Sequence, residues 1–169
     1  MALDVSPLVR RFATRIAVTA ATMPIVDVGC GSGRNALPLA QLGCSVLCLD
    51  KDLSRFAVQS EELALRIVCK KIDLVNESWP FGAGRLGGIL NIHLFLPNLF
   101  PFFECSLASG KYLLFETPPG NGGNYLELPM AGDVRRALAN GFKLEFFKES
   151  VAGPRNYGAV TTKILAKRR

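Results

Sequence analysis

The stretch Ile25-Val26-Asp27-Val28-Gly29-Cys30-Gly31-Ser32-Gly33, followed at once by Arg34-Asn35-Ala36-Leu37, decides how this chain is read. A short β-branched run stops in alternating glycines. The residues that follow place Ala36, Leu37, Ala40 and Leu42 at helical spacing before Gly43 stops the pattern. The unit is strand, tight turn, helix. Glycines at such a junction supply positive φ and let the backbone come close to a ligand. The next apolar run, 44–50, ends in Asp50, seventeen residues after Gly33, and an acid there can accept hydrogen bonds from both ribose hydroxyls. A dinucleotide fingerprint G-x-G-x-x-G requires glycine at 34, where Arg34 stands. The spacing therefore favours a nucleoside over a pyrophosphate.

Outward from this unit, apolar runs and helical patterns alternate. Upstream, Ser6 and Pro7 give N-cap and first-turn signals, and Leu8, Phe12, Ile16 and Ala20 recur at helical spacing, so 1–22 is expected to hold a helix that covers the site or a sheet edge. Downstream, the pattern predicts a helix over Ser54–Ala64, strands over 66–73 and 89–96, a helix over Leu99–Ala108 and a strand over 111–117. A loop, Pro118–Tyr125, follows at the strand's carboxyl end. A helix over Gly132–Asn140 and two strands, 143–150 and 158–167, complete the order. The last two are separated by a short Gly153-Pro154 loop and must be antiparallel. Continuous apolar strands alternating with helices imply a parallel sheet covered on both faces. The expected fold is a single α/β domain over 1–169: a three-layer sandwich with a seven-stranded, mostly parallel sheet, an antiparallel C-terminal hairpin and helices on both faces.

Composition narrows the functional classes. At 169 residues, 49% hydrophobic and 20% charged, the chain can bury a core without disulfides or structural zinc. Its five cysteines form no C-x-x-C pair and it has one histidine, so no metal is expected and a reducing, cytoplasmic setting is. Arg10, Arg11 and Arg15 interrupt any signal-like stretch, and no apolar run approaches a membrane span, so no membrane association is expected. The net charge of +6 suits an anionic partner such as RNA, but much of the surplus is terminal, including Lys163 and Lys167, and the phenylalanines lie in core-like runs.

The motif Asp27-x-Gly29-x-Gly31-x-Gly33, with Asp50 at the end of the second strand, resembles the first two motifs of the class I S-adenosylmethionine-dependent methyltransferases. The resemblance extends to Lys71-Ile72-Asp73-Leu74, Asn91-Ile92-His93, the Ser109-Gly110-Lys111 turn and the terminal hairpin, covering about 23–166. Within the family, GSGRN and ETPPGN-x-x-NYLELP are similar to small bacterial enzymes of the tellurite-resistance type. The resemblance implies S-adenosyl-L-methionine as cofactor, held by Asp27, Gly29, Cys30, Gly31, Ser32, Gly33, Asn35, Asp50, Lys51, Asp73, Leu74 and Asn91. Several of these carry a second reading. Asp27 either shapes the methionine pocket or bonds the loop amides; Asp73 either meets adenine or caps a turn.

For the transfer site the resemblance brings forward His93, Glu116 and Tyr125. His93 is either a core residue of the fourth strand or a general base. Glu116 and Tyr125 flank a loop whose Asn and Gly content alone would explain them. The implied activity is in-line methyl transfer to a small molecule or metalloid acceptor, with no obligate protein partner. Alternatives are an RNA methyltransferase, a protein that binds the cofactor without transfer, and a nicotinamide-dependent reductase. The RNA reading requires Arg34, Arg55, Arg85, Arg135, Arg136 and Arg155 to converge on the cofactor mouth.

Overall fold

The computed structural model describes residues 4–57, 60–155 and 157–169. The chain opens with α1 (Pro7–Ala20), which Ser6 caps by accepting from the Leu8 amide and which buries Leu8, Val9, Phe12, Ala13, Ile16 and Ala20. The core elements then follow in order: β1 (Ile25–Val28), α2 (Leu37–Gln41), β2 (Val46–Asp50), α3 (Glu61–Ala64), β3 (Ile67–Lys71), β4 (Leu86–Ile92), α4 (Phe100–Ser106), β5 (Leu107–Glu116), α5 (Asp133–Leu138), β6 (Phe142–Val151) and β7 (Val160–Arg168). The seven strands form one sheet in the order β3-β2-β1-β4-β5-β7-β6. Pairs are parallel from β3 through β5, and β7 runs antiparallel to both β5 and β6.

Side-chain alternation along the strands divides the core into two layers. Ile25, Val46, Leu90, Tyr112 and Leu165 pack with α1 and with Leu39 and Ala40 of α2. Val26, Ile89, Leu113, Phe115 and Ile164 pack with Phe100 and Phe103 of α4 and with Val134 and Leu138 of α5. The three-layer sandwich and the antiparallel terminal pair are thus as the sequence pattern predicts.

Several boundaries differ from expectation. β4 runs over Leu86–Ile92 rather than 89–96, and its fully buried start includes Gly87 and Gly88. A Cβ at Gly88 would lie 3.0 Å from Ile16 and one at Gly87 2.7 Å from Met23, so the glycines let α1 press onto the strand. The strand ends where His93 turns into the left-handed region at φ 63°. The apolar pattern hides this exit because Leu94, Phe95 and Leu96 continue it while packing from a loop. β5 begins at Leu107, through the expected Ser109-Gly110 turn, and α4 correspondingly stops at Ser106. Of the helix expected over Ser54–Ala64, Val58 and Gln59 lie outside the described residues, and helix is seen only at Glu61–Ala64, capped by Ser60.

Candidate active site

The carboxyl edge of the sheet carries the glycine loop. Beyond β1 the amides of Gly29 and Cys30 both donate to the Leu49 carbonyl, at 2.8 and 3.0 Å. The Gly31 amide donates to Asp50 Oδ2 at 2.7 Å, while Asp50 Oδ1 accepts from the Asp52 amide at 2.9 Å. Strand β2 therefore fixes the loop from beside it. Two glycines serve different ends. Gly33 lies under the Phe56 ring, which any Cβ there would overlap. Gly31, at φ 55°, has no atom within 4 Å of where a Cβ would stand, so its exposed side opens into empty space.

That space is a cavity of about 560 Å³. Its walls include Gly29, Cys30, Gly31, Ser32, Asn35, Asp50, Lys51, Asp73, Leu74 and His93, all singled out from the sequence, together with Arg34, Arg55 and Phe95. Asp73 also holds a turn, accepting from the Val75 amide at 3.0 Å and Asn76 Nδ2 at 2.8 Å. The Asn76 and Val75 bonds hold its carboxyl below the usual carboxylate range. Asp73 thus caps a turn and lines the cavity at once.

Asp27, Gly33 and Asn91 do not line the cavity. Asn91 is buried with its Nδ2 3.5 Å from the Val28 carbonyl. Asp27 is 1% exposed, and its Oδ2 has no hydrogen-bond partner. Burial, reinforced by the Asp50 charge and opposed by Arg34, pushes its carboxyl up to about 7. Beside it in the sheet register stand Cys48 and then Cys69. A hydrogen bond to Cys30 and burial hold the Cys48 thiol in its neutral form.

A second cavity, of about 620 Å³, adjoins the first through His93 and Pro118, which line both. Glu116 and Tyr125 line this second space, with Asn121, Val151, Pro154 and Lys163. Glu116 is the hub of its wall. Its Oε2 accepts from Ser6 Oγ at 2.6 Å, its Oε1 meets Lys163 Nζ at 2.7 Å, and His93 Nε2 stands 3.8 Å from Oε1. Burial alone would raise the Glu116 pKa, but bonds to His93, Lys163 and Ser6 outweigh it and hold the carboxyl at about 2. The other face of His93 approaches Arg34, whose Nη2 is 3.4 Å from Nδ1. His93 is thus a half-exposed wall between two cavities, not the core residue of an apolar strand, because the backbone turns at that position.

Ser6 and Lys163 are neighbours of Glu116 that their sequence signals do not place here. Ser6 carries a clear cap signal that explains it without any site, and its amide also donates to Asn35 Oδ1 at 3.0 Å. Lys163 reads as part of a basic C-terminal surplus. Of the six arginines required to converge on the mouth, Arg34 and Arg55 line the first cavity and the other four line neither. Arg135 stacks on the Phe147 ring and Arg136 pairs with Asp133. Among the described residues, no group of three or more His, Cys, Asp or Glu is arranged to hold a metal ion, and no helix is long and apolar enough to cross a membrane.

No protein-family model matches the chain, and no curated protein matches its sequence. Solved structures do match in shape. Geranyl diphosphate C-methyltransferase from Streptomyces coelicolor A3(2), solved with Mg²⁺, geranyl diphosphate and S-adenosyl-L-homocysteine, aligns at TM-score 0.70 and 14% identity over 95% of this chain and 79% of its own. The [4+2]-cyclase SpnF aligns at 0.69 and 14% identity over 94% of this chain and 80% of its own. TehB from Haemophilus influenzae aligns at 0.67 and 16% identity over 93% of this chain and 61% of its own. Sheet order, glycine loop and these likenesses agree: the chain has the fold of the class I S-adenosylmethionine-dependent methyltransferases.

Proposed function

We propose that the protein binds S-adenosyl-L-methionine in the first cavity and transfers its methyl group to a small-molecule acceptor in the second. The observation that carries this reading is the open space over Gly31, bounded by Asp50 on one side and by Asp73 and Leu74 on another. The residues present fit the cofactor. Asp50 has both oxygens engaged by amides, and a carboxylate retains acceptor capacity for ribose hydroxyls beyond two bonds. Asp73 and the apolar Leu74 suit an adenine, and Arg34, which also lines the cavity, suits a carboxylate.

When bound, S-adenosylmethionine supplies an electrophilic methyl group on a sulfonium, whose departure as a thioether needs no covalent help. What remains for the protein is proximity and orientation, which in favourable cases contribute about 7–11 kcal/mol. The shared wall at His93 and Pro118 is where the two cavities meet, so His93 and Pro118 would border both methyl donor and acceptor. His93 is the group placed to take a proton from an acceptor that must lose one. Glu116 stays ionised and balances Lys163 and a protonated His93 rather than acting as a base.

A small acceptor is favoured over RNA because four of the six arginines stand away from both cavities. The [4+2]-cyclase shares the fold, so shape alone does not fix transfer chemistry, and the test must read transfer itself. Calorimetric titration with S-adenosylmethionine and S-adenosylhomocysteine tests the cofactor. A radiolabelled-methyl screen over small phenols, carboxylates, amines, thiols and metalloid oxyanions, and over cell extract before and after nuclease, tests the acceptor. Binding without label transfer to any of them would support a cofactor-binding protein instead. Label lost on nuclease treatment would support RNA.

A further inference from the structure

The second cavity has two ends of unlike chemistry. At His93 it holds Lys163 and Glu116, one cation and one anion, while Arg34, on the far side of the imidazole, lines only the first cavity. Of the rest of the wall, Thr117, Asn121 and Thr161 are polar, while Pro118, Pro119, Pro154, Ala152, Val151 and the Tyr125 ring form an apolar, shape-fixed side. Proline rings and a half-buried aromatic offer flat apolar faces at little cost in conformational entropy.

The apolar character does not stop at the mouth. Val151, a lining residue, is 71% exposed, and Leu126, beside Tyr125, is wholly exposed. Met130 and Tyr157 are large, apolar-bodied and exposed as well. Backbone pairing brings the segments that carry Met130, Tyr157 and Val151 together, and Leu126 precedes Leu128 of the cluster beneath them by two residues of chain. Met130 bridges Ala159, Ala159 accepts from the Ala152 amide, and the Met130 methyl rests against Gly158, next to Tyr157. Leu128, Ala152 and Ala159 form a small cluster beneath, against which Tyr125 packs, separate from the two main core layers. A rim of exposed apolar side chains continuous with a cavity is unusual on a surface with no ligand to cover it.

We propose that the second cavity binds an amphiphilic acid, with its acidic head at Lys163 and His93 and its apolar body running along Pro118, Pro154 and Val151 to the Leu126 rim. Its role as acceptor rests on the methyltransferase reading; the binding itself does not. Lys163, whose side chain is 41% exposed, has donors left after its bond to Glu116, and these take the acidic head. The apolar lining then discriminates by length and hydrophobic area.

The test is calorimetry on the wild-type chain with acetate, hexanoate, octanoate and decanoate, and with 1-octanol as the uncharged control. The expected result is one site whose affinity rises about two- to fourfold per added methylene, with octanoate bound at least fivefold more tightly than octanol. Val151→Asp and Leu126→Asp, both at exposed positions, are expected to weaken decanoate at least fivefold and to flatten the length dependence. Lys163→Met is expected to abolish the preference for octanoate over octanol. Affinity independent of chain length, or decanoate binding unchanged in Val151→Asp and Leu126→Asp, overturns the proposal. So does octanol binding as well as octanoate. S-adenosylhomocysteine is titrated separately into the same preparation: its failure to bind overturns the methyltransferase reading and leaves the alkyl series to be judged alone.

Discussion

The Ser6 hydroxyl donates to Glu116 Oε2 at 2.6 Å, joining the cap of the first helix to the end of the fifth strand across 110 residues of sequence. Ser6 Oγ also accepts from the Leu8 amide at 3.1 Å, so one side chain serves helix and cavity wall together. Both ends of the contact are buried.

Ser6→Ala removes a helix cap and a hydrogen bond to a buried charge. Caps contribute about 1 kcal/mol and bonds to charged groups about 1.5–3 kcal/mol, with overlap between them. The expected loss is roughly 2–3 kcal/mol, read as a lower urea midpoint at unchanged slope. A loss below about half a kcal/mol would show that Lys163 alone holds Glu116.

Glu116, held at about 2, has a folded pKa below its ordinary value of 4.5. Its contribution is therefore present above about pH 4.5 and is lost as pH falls through the folded pKa. Wild type is expected to lose roughly 2–3 kcal/mol from this group between pH 4.5 and 2. Glu116→Gln is expected to be less stable at pH 6 and to lose correspondingly less than wild type over that window. Parallel urea curves at pH 6, 4 and 3 decide it; an equal acid slope in both proteins would place the charge dependence elsewhere.

Asp27 behaves with the opposite sign. Its folded pKa of about 7 lies above its ordinary 3.8, so the folded state gains relative stability from the proton it keeps. That gain is complete below about pH 4 and is lost as pH rises through 7. Asp27→Asn titrates no proton, so its stability relative to wild type is expected to improve by a few kcal/mol from pH 4 to 8. Melting temperatures at pH 5 and 8 measure this; a gap that stays constant or narrows with rising pH would contradict a buried acid.

Asp50→Ala removes the acceptor of the Gly31 amide and the proposed ribose ligand in one step. The expected result is at least a tenfold weaker affinity for S-adenosylhomocysteine by calorimetry, with a melting temperature within a few degrees of wild type. Undiminished affinity would sink the assignment of Asp50.

What could be read in the sequence was what lies close along it. The glycine loop and Asp50 are legible because each feature is a local pattern whose spacing carries the backbone requirement. The sequence puts His93 on a strand because Leu94, Phe95 and Leu96 keep an apolar rhythm, and nothing local announces a left-handed turn at a histidine. The start of β4 was missed because Gly87 and Gly88 look like breakers, when they are there to admit Ile16 and Met23 from elsewhere in the chain. The clamp of Ser6, Lys163 and His93 on Glu116 is contact between four distant segments. Each of its members has a sufficient local explanation, so none signals the others.

The strand that comes last in the chain is not an edge. Strand β7 lies between β5 and β6, so until it arrives β5 has an open flank and β6 has no neighbour in the sheet. Lys163, on that strand, also delivers the cation that Glu116 meets. During synthesis, with earlier segments folding first, β5 keeps that open flank until β7, paired with β6 as an antiparallel hairpin, docks against it. A chain halted before β7 would present the unpaired backbone of β5 as a template for another molecule's strand. Aggregation of truncated forms and assembly of the site are thus decided by the same docking.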